Sequence, residues 1–175
     1  MIGRKVAGKT MGLIGFGAIA RQVAIRAVGL GMDVIAYDPN LLADDPAWQF
    51  ARNVSKDGIA DLADVVSLHV PLVESTRHLV DLSFLKAMKK DAVLINAARG
   101  GVVDDSALAF ALAEGEIAGA ALDVFEVEPL TAEAGAKFAG LSNLVLTPHI
   151  GGVTDESNVR VSHLIADKVL EKLAG

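Results

Sequence analysis

Three polar residues in this chain are of the types that grip a carboxylate and move a proton. Arg99 stands in Ile95-Asn96-Ala97-Ala98-Arg99-Gly100-Gly101, Glu128 in Asp123-Val124-Phe125-Glu126-Val127-Glu128-Pro129, and His149 in Leu146-Thr147-Pro148-His149-Ile150-Gly151-Gly152. A guanidinium presents a planar fork that matches a carboxylate. An imidazole trades a proton near neutral pH. A carboxylate beside the imidazole orients the ring and stabilises its charged form. Taken singly, each residue also has a plain reading: a surface cation, a loop acid, a turn residue. What sets them apart is that each follows an apolar run of strand length. In a parallel sheet all three would surface on one edge, close in space though far apart in sequence.

The elements that must position them are organised around Gly12-Leu13-Ile14-Gly15-Phe16-Gly17-Ala18-Ile19-Ala20. An apolar run meets a glycine turn and then an apolar-periodic helix, the pattern of a dinucleotide fingerprint. Gly15 allows the tight turn, Gly17 lets the backbone approach a pyrophosphate, and Ala20 is small enough for helix and strand to pack. The first-turn N–H groups of such a helix lack partners and attract anions. A second run, Asp33-Val34-Ile35-Ala36-Tyr37-Asp38, ends in an acid. Asp38 lies about 20 residues past the glycines, where a carboxylate accepts both adenosine ribose hydroxyls and repels a 2′-phosphate. A solvated turn acid before Pro39 is the plainer reading of that residue.

The remaining runs predict strands at 11–16, 33–38, 64–70, 92–97, 119–124 and 144–147. Helices are expected over 18–30, 57–63, 81–90, from Asp104 or Asp105 to about 116, and over 155–173. Residues 39–55 read as a loop with a short helical piece. Alternation of this kind predicts a three-layered, doubly wound α/β domain of Rossmann type, with six parallel strands in the order 3-2-1-4-5-6. Residues 1–175 form one such domain in this reading, without an internal repeat or long linker.

Composition narrows the function. Apolar residues make up 52% and charged residues 22% of the 175, which marks a folded globular chain. The net charge is −6 and no Lys/Arg cluster offers a nucleic-acid footprint. No apolar run approaches the ~20 residues of a membrane span. The first residues, Met1-Ile2-Gly3-Arg4-Lys5, lack the apolar core of a signal peptide. There is no cysteine, so disulfides and thiolate metal sites are excluded. Histidines and acids do not show metal-ligand spacing, and no metal is expected. His69 reads equally as a structural or a cofactor-contacting residue, His78 as solvated or capping, and His163 as packing or exposed on the last helix. A cytoplasmic location is expected.

From about Val6 to its end the chain resembles the NAD-binding domain of the D-isomer-specific 2-hydroxyacid dehydrogenases. Gly8-Lys9-Thr10 leads into the glycine fingerprint, and His69-Val70-Pro71-Leu72 resembles the family's cofactor loop. Residues 96–104, 121–129 and 147–152 resemble its three remaining signatures. The resemblance implies Arg99 as binder of substrate carboxylate and carbonyl, Glu128 as partner of the histidine, and His149 as acid/base. It implies that Ala18 and Ile19 offer backbone to the pyrophosphate. Val70 with Pro71, Ala97 with Ala98, and Asp123 would line the nicotinamide side, with His149, Gly151 and Gly152 closing it. It further implies a small 2-hydroxy or 2-oxo acid substrate and a homodimer through this domain.

Family members carry a substrate domain ahead of the fingerprint, whereas only about ten residues precede it here. The sequence therefore reads as half of a cleft enzyme, with the substrate domain absent. A non-catalytic NAD-binding or interaction module is the alternative. A different Rossmann enzyme, acting on nucleotide sugars or methyl groups, is disfavoured by Arg99, Glu128 and His149.

Overall fold

A computed structural model describes residues 5–174. Seven strands, β1 (Thr10–Ile14), β2 (Asp33–Tyr37), β3 (Arg52–Asn53), β4 (Val65–Leu68), β5 (Val93–Asn96), β6 (Gly119–Leu122) and β7 (Leu144–Leu146), form one sheet. Its order is β3-β2-β1-β4-β5-β6-β7. All neighbouring pairs are parallel, with Gly12 opposite Ile35 on one side and Val66 on the other.

The expected doubly wound order 3-2-1-4-5-6 holds and continues into a seventh strand. The count of six and one strand assignment need correction. The third strand is Arg52–Asn53, two exposed residues inside the stretch read as a loop. It is too short and too polar to carry an alternating pattern. Segment 64–70, third in the sequence reading, is thus the fourth strand and pairs with β1. The strands are also shorter than expected, each of the six ending one or two residues earlier.

Side chains alternate between two cores. Leu13, Val34 and Ala36 face α1 (Ala18–Gly29), while Ile14 and Ile35 face the opposite layer. That layer holds α2 (Lys56–Leu62), α3 (Leu82–Ala87) and α4 (Asp105–Ala113). α1 lies close because Ala20, Ala24 and Ala27, spaced along one face, are its buried residues. It stops before Gly31, whose φ of +77° is a left-handed conformation that glycine adopts freely. Ser55, Asp81 and Asp104 cap α2, α3 and α4 through their side-chain oxygens. A short helix, α5 (Ala132–Gly135), follows the Glu128 loop. The last helix, α6 (Asp155–Ala174), belongs to neither core, and its described side chains are almost all exposed.

At the amino ends of the strands, Asp64 fastens the sheet. Its Oδ2 accepts from the Thr10 amide at 2.8 Å, and its Oδ1 faces Lys9 Nζ at 3.3 Å and Lys89 Nζ at 3.4 Å. Burial pulls the Asp64 carboxyl upward, but the Thr10 amide and the two lysines outweigh it and hold it below its ordinary range.

Candidate active site

The carboxyl ends of β1, β2, β4, β5, β6 and β7 share one edge. The glycine turn opens it. Gly15 has φ +85°, and a Cβ there would stand 2.7 Å from the His69 carbonyl oxygen, so both conformation and space require glycine. Gly17 is different. Its φ is −75° and a Cβ would meet nothing within 4 Å. No protein atom demands glycine at that position, which fits a backbone kept bare for a ligand lying over the helix start. Ala18 and Ile19 follow in the first turn with exposed side chains, and Ala20 is fully buried.

Asp38 sits at the end of β2 and ties the turn in place. One oxygen accepts from the Phe16 amide at 2.8 Å, and the other from the Asn40 amide at 2.9 Å. Phe16 stacks on Trp48 with ring centroids 5.3 Å apart. The acid therefore serves the turn itself while remaining partly open to solvent, and each oxygen keeps a further lone pair able to accept a hydrogen bond.

Beyond β4, Val70 packs on the glycine turn and Pro71 is exposed. His69 bonds through Nε2 to Ser67 Oγ at 3.0 Å, and burial lowers its proton affinity. The structure thus gives His69 a structural tie. Beyond β5, the buried Asn96 shapes the loop that carries Arg99. Its Nδ2 donates to the Arg99 carbonyl at 2.9 Å and its Oδ1 accepts from the Ala98 amide at 3.1 Å. The Arg99 guanidinium is exposed and donates to the Ala98 carbonyl at 2.6 Å. No hydrogen bond or ion pair joins it to Glu128 or His149.

Those two do meet. Glu128 Oε2 lies 2.7 Å from His149 Nδ1, and Glu128 Oε1 accepts from the Phe125 amide at 2.9 Å. The Phe125 amide first, and then the histidine ring, hold the Glu128 carboxyl below the usual range. His149 has φ +54°, an uncommon conformation for a residue with a Cβ. Its Nε2 makes no hydrogen bond among the described residues, and Glu128 and His149 line a cleft of about 590 Å³ with Phe125, Leu130, Leu146 and Pro148.

The conformation of that turn is fixed by Asp123, at the end of β6. Its Oδ1 accepts from the Thr147 hydroxyl and the Ile150 amide, and its Oδ2 from the Gly151 amide at 2.8 Å. Burial raises the Asp123 carboxyl, but these three donors outweigh it and leave it lowered. The family resemblance implies Asp123 on the nicotinamide side; the clamp itself is not legible in the sequence, because its donors lie 24–28 residues away. Ala97, Asp123 and Gly151 line one groove of about 420 Å³ beside the His149 turn, while Gly152 is exposed next to it. His78, read as solvated or capping, instead pairs with Glu126. His163 is exposed on α6. Among the described residues no group of three or more His, Cys, Asp or Glu is placed to hold a metal ion, and no helix is long and apolar enough to cross a membrane.

A doubly wound sheet with an anion-accepting helix start, an acid at the end of β2 and a carboxylate–imidazole pair past β6 and β7 defines a dinucleotide-binding domain of dehydrogenase type. Residues 1–151 match the family model described as D-isomer specific 2-hydroxyacid dehydrogenase, NAD binding domain. The chain belongs to that family, and NAD is its cofactor. It is 50% identical over 174 residues to an (S)-sulfolactate dehydrogenase of Chromohalobacter salexigens, covering 99% of this chain and 56% of the relative. It is 43% identical over 171 residues to a hydroxypyruvate reductase of Thermotoga maritima, covering 98% and 55%. A crystal structure of D-lactate dehydrogenase from Aquifex aeolicus, complexed with NAD and lactic acid, superposes with a TM-score of 0.89 at 32% identity, over 99% of this chain and 56% of that one. The chain spans about half the length of the curated relatives it matches.

Proposed function

We propose that this chain is the cofactor-binding half of an NAD-dependent D-2-hydroxyacid dehydrogenase acting on a small 2-hydroxy or 2-oxo acid. The observation that carries the reading is the Glu128–His149 contact of 2.7 Å at the carboxyl edge of the sheet, beside a cleft that both residues line. Bound NAD supplies the acceptor for a hydride leaving C2 of the hydroxy acid. His149 Nε2 takes the hydroxyl proton as that hydride departs, and returns a proton in the reverse direction. Glu128, ionised and fixed by the Phe125 amide, holds the ring by Nδ1 and stabilises its charged form. Arg99 swings from the Ala98 carbonyl to grip the substrate carboxylate and polarise the carbonyl oxygen. The amides of Ala18 and Ile19 would hold the pyrophosphate, with Gly17 leaving the backbone bare beside it. Asp38 would hold the adenosine ribose, and Val70, Pro71, Ala97, Ala98, Asp123, Gly151 and Gly152 would line the nicotinamide site.

Within the same proposal the substrate domain is a separate unit that closes the cleft, two copies of this domain pair, and the enzyme works in the cytoplasm. The relatives' extra length supports the first point. The test begins with calorimetric titration of the chain with NAD. It continues with reduction of 2-oxo acids, sulfopyruvate and hydroxypyruvate among them, by the chain alone and joined to a relative's substrate domain. NAD binding with a rate that appears only on joining supports the reading. NAD binding without any turnover of the joined protein favours a non-catalytic module. Sedimentation at micromolar concentration tests the dimer.

A further inference from the structure

Asp105 lies outside the machinery described so far. It is the first residue of α4 and only 3% exposed, and its Oδ1 is a buried side-chain oxygen without a hydrogen-bond partner. Buried carboxylates without full pairing oppose folding, so the place of the other oxygen matters. Asp105 Oδ2 accepts from the Glu126 amide at 3.2 Å.

That amide belongs to the same planar peptide unit as the Phe125 carbonyl. The carbonyl side is held too, because a Cβ on Gly100 would overlap the Phe125 carbonyl oxygen, and glycine alone lets the two backbones touch. One peptide plane is thus pinned at both edges, by Gly100 and by Asp105. The preceding peptide, 124–125, carries the Phe125 N–H that donates to Glu128 Oε1. The two peptides meet at the Phe125 Cα, so pinning the 125–126 plane restrains where that N–H points, and with it where the Glu128 carboxylate stands when it meets His149.

We infer that Asp105 is a positioning residue for the Glu128–His149 pair, acting through the 125–126 peptide. It touches neither Glu128 nor the histidine. The surrounding charges do not substitute for it: Glu126 turns its side chain to His78 and, at 3.9 Å, to Lys137. The inference rests on the acid–base role proposed for the pair, yet its readout is independent of turnover.

The experiment is a carbon-detected NMR titration of the Glu128 side-chain carboxyl in the isotope-labelled chain, with the Phe125 amide proton followed in parallel. In the parent protein the Phe125 amide tracks the Glu128 titration. In Asp105→Ala the Glu128 midpoint rises toward that of an ordinary glutamate and the Phe125 response is lost. In Asp105→Asn, which keeps an oxygen acceptor, both features are retained. General destabilisation would not move a carboxyl titration of a chain that remains folded. A folded Asp105→Ala with unchanged Glu128 midpoint and Phe125 response overturns the inference, as does a folded Asp105→Asn that loses both. Should Asp105→Ala fail to fold, Asp105→Ser, which suits a helix start but is too short to reach the Glu126 amide, is read in its place by the same two criteria. Failure of the dehydrogenase proposal itself shows separately, as absent NAD binding by calorimetry.

Discussion

Asp105→Asn makes the strongest quantitative prediction. Burial above all pushes the Asp105 carboxyl up to about 6 in the folded chain, with the Glu126 amide pulling it partly back and the Glu126 charge adding to the rise. An aspartate in the unfolded chain titrates near 3.8. The folded state therefore binds the proton more tightly, and stability falls as pH rises from the unfolded value through the folded one. A difference of this size, at about 1.4 kcal/mol per unit, leaves ionised Asp105 costing about 3 kcal/mol at pH 7. The cost shrinks to roughly half of that at pH 5 and to a small remainder at pH 4. Asparagine has the same shape, offers its oxygen to the Glu126 amide and carries no charge. Its nitrogen replaces an oxygen that is already unpartnered, so the polar burial is similar and the charge is what differs. Urea unfolding at pH 4, 5 and 7 should find Asp105→Asn more stable than the parent, by a margin that grows with pH toward ~3 kcal/mol. A variant that is less stable at pH 7, or a margin independent of pH, would refute the reasoning.

Other outcomes follow from the glycine turn and the edge acids. Gly15→Ala should lose NAD binding and cost several kcal/mol of stability, about 1–3 from the backbone conformation alone, read by denaturation. Gly17→Ala should leave stability within about 1 kcal/mol, since its Cβ has open space, yet weaken NAD binding by calorimetry. Asp38→Ala should weaken NAD binding and narrow the preference over NADP; equal or tighter NADPH binding by the parent would reject Asp38 as the ribose acid. Asp123→Ala should free the 147–151 turn, seen as faster amide exchange at Ile150 and Gly151, and in the joined enzyme should depress kcat.

The sequence made the fingerprint legible because Gly15 is demanded by its backbone conformation and close neighbours, while Gly17 stands where no protein atom requires a glycine. The strands were legible where both faces are buried, as in Leu13-Ile14 and Val34-Ile35-Ala36. Arg52–Asn53 escaped because two exposed residues carry no period. Shifting that one strand changed which segment neighbours β1, while the edge on which Arg99, Glu128 and His149 emerge was unaffected. Contact between Glu128 and His149 was expected and is found. The role of Asp123 as a clamp and the burial of Asp105 were not visible, because each depends on backbone amides that any residue can supply. Asp105 in particular reads as an ordinary acid at a helix start, and nothing in the linear pattern distinguishes it from Asp104, which does cap α4.

Asp64 lies at the opposite end of the strands from all of this. With Lys9, Lys89 and the Thr10 amide it grips the amino ends of β1 and β4, while every residue proposed for NAD and substrate emerges at the carboxyl ends. The sheet thus has an anchored margin and a variable margin, separated by the length of its strands. Changes in the loops past β4, β5, β6 and β7 can reshape the proposed substrate site without loosening the lysine–aspartate knot, and repairs near Asp64 can restore stability without disturbing the Glu128–His149 pair. For anyone redirecting such a domain to a new acid, the Asp64 end is the place to bank stability before the Arg99 and His149 loops are changed.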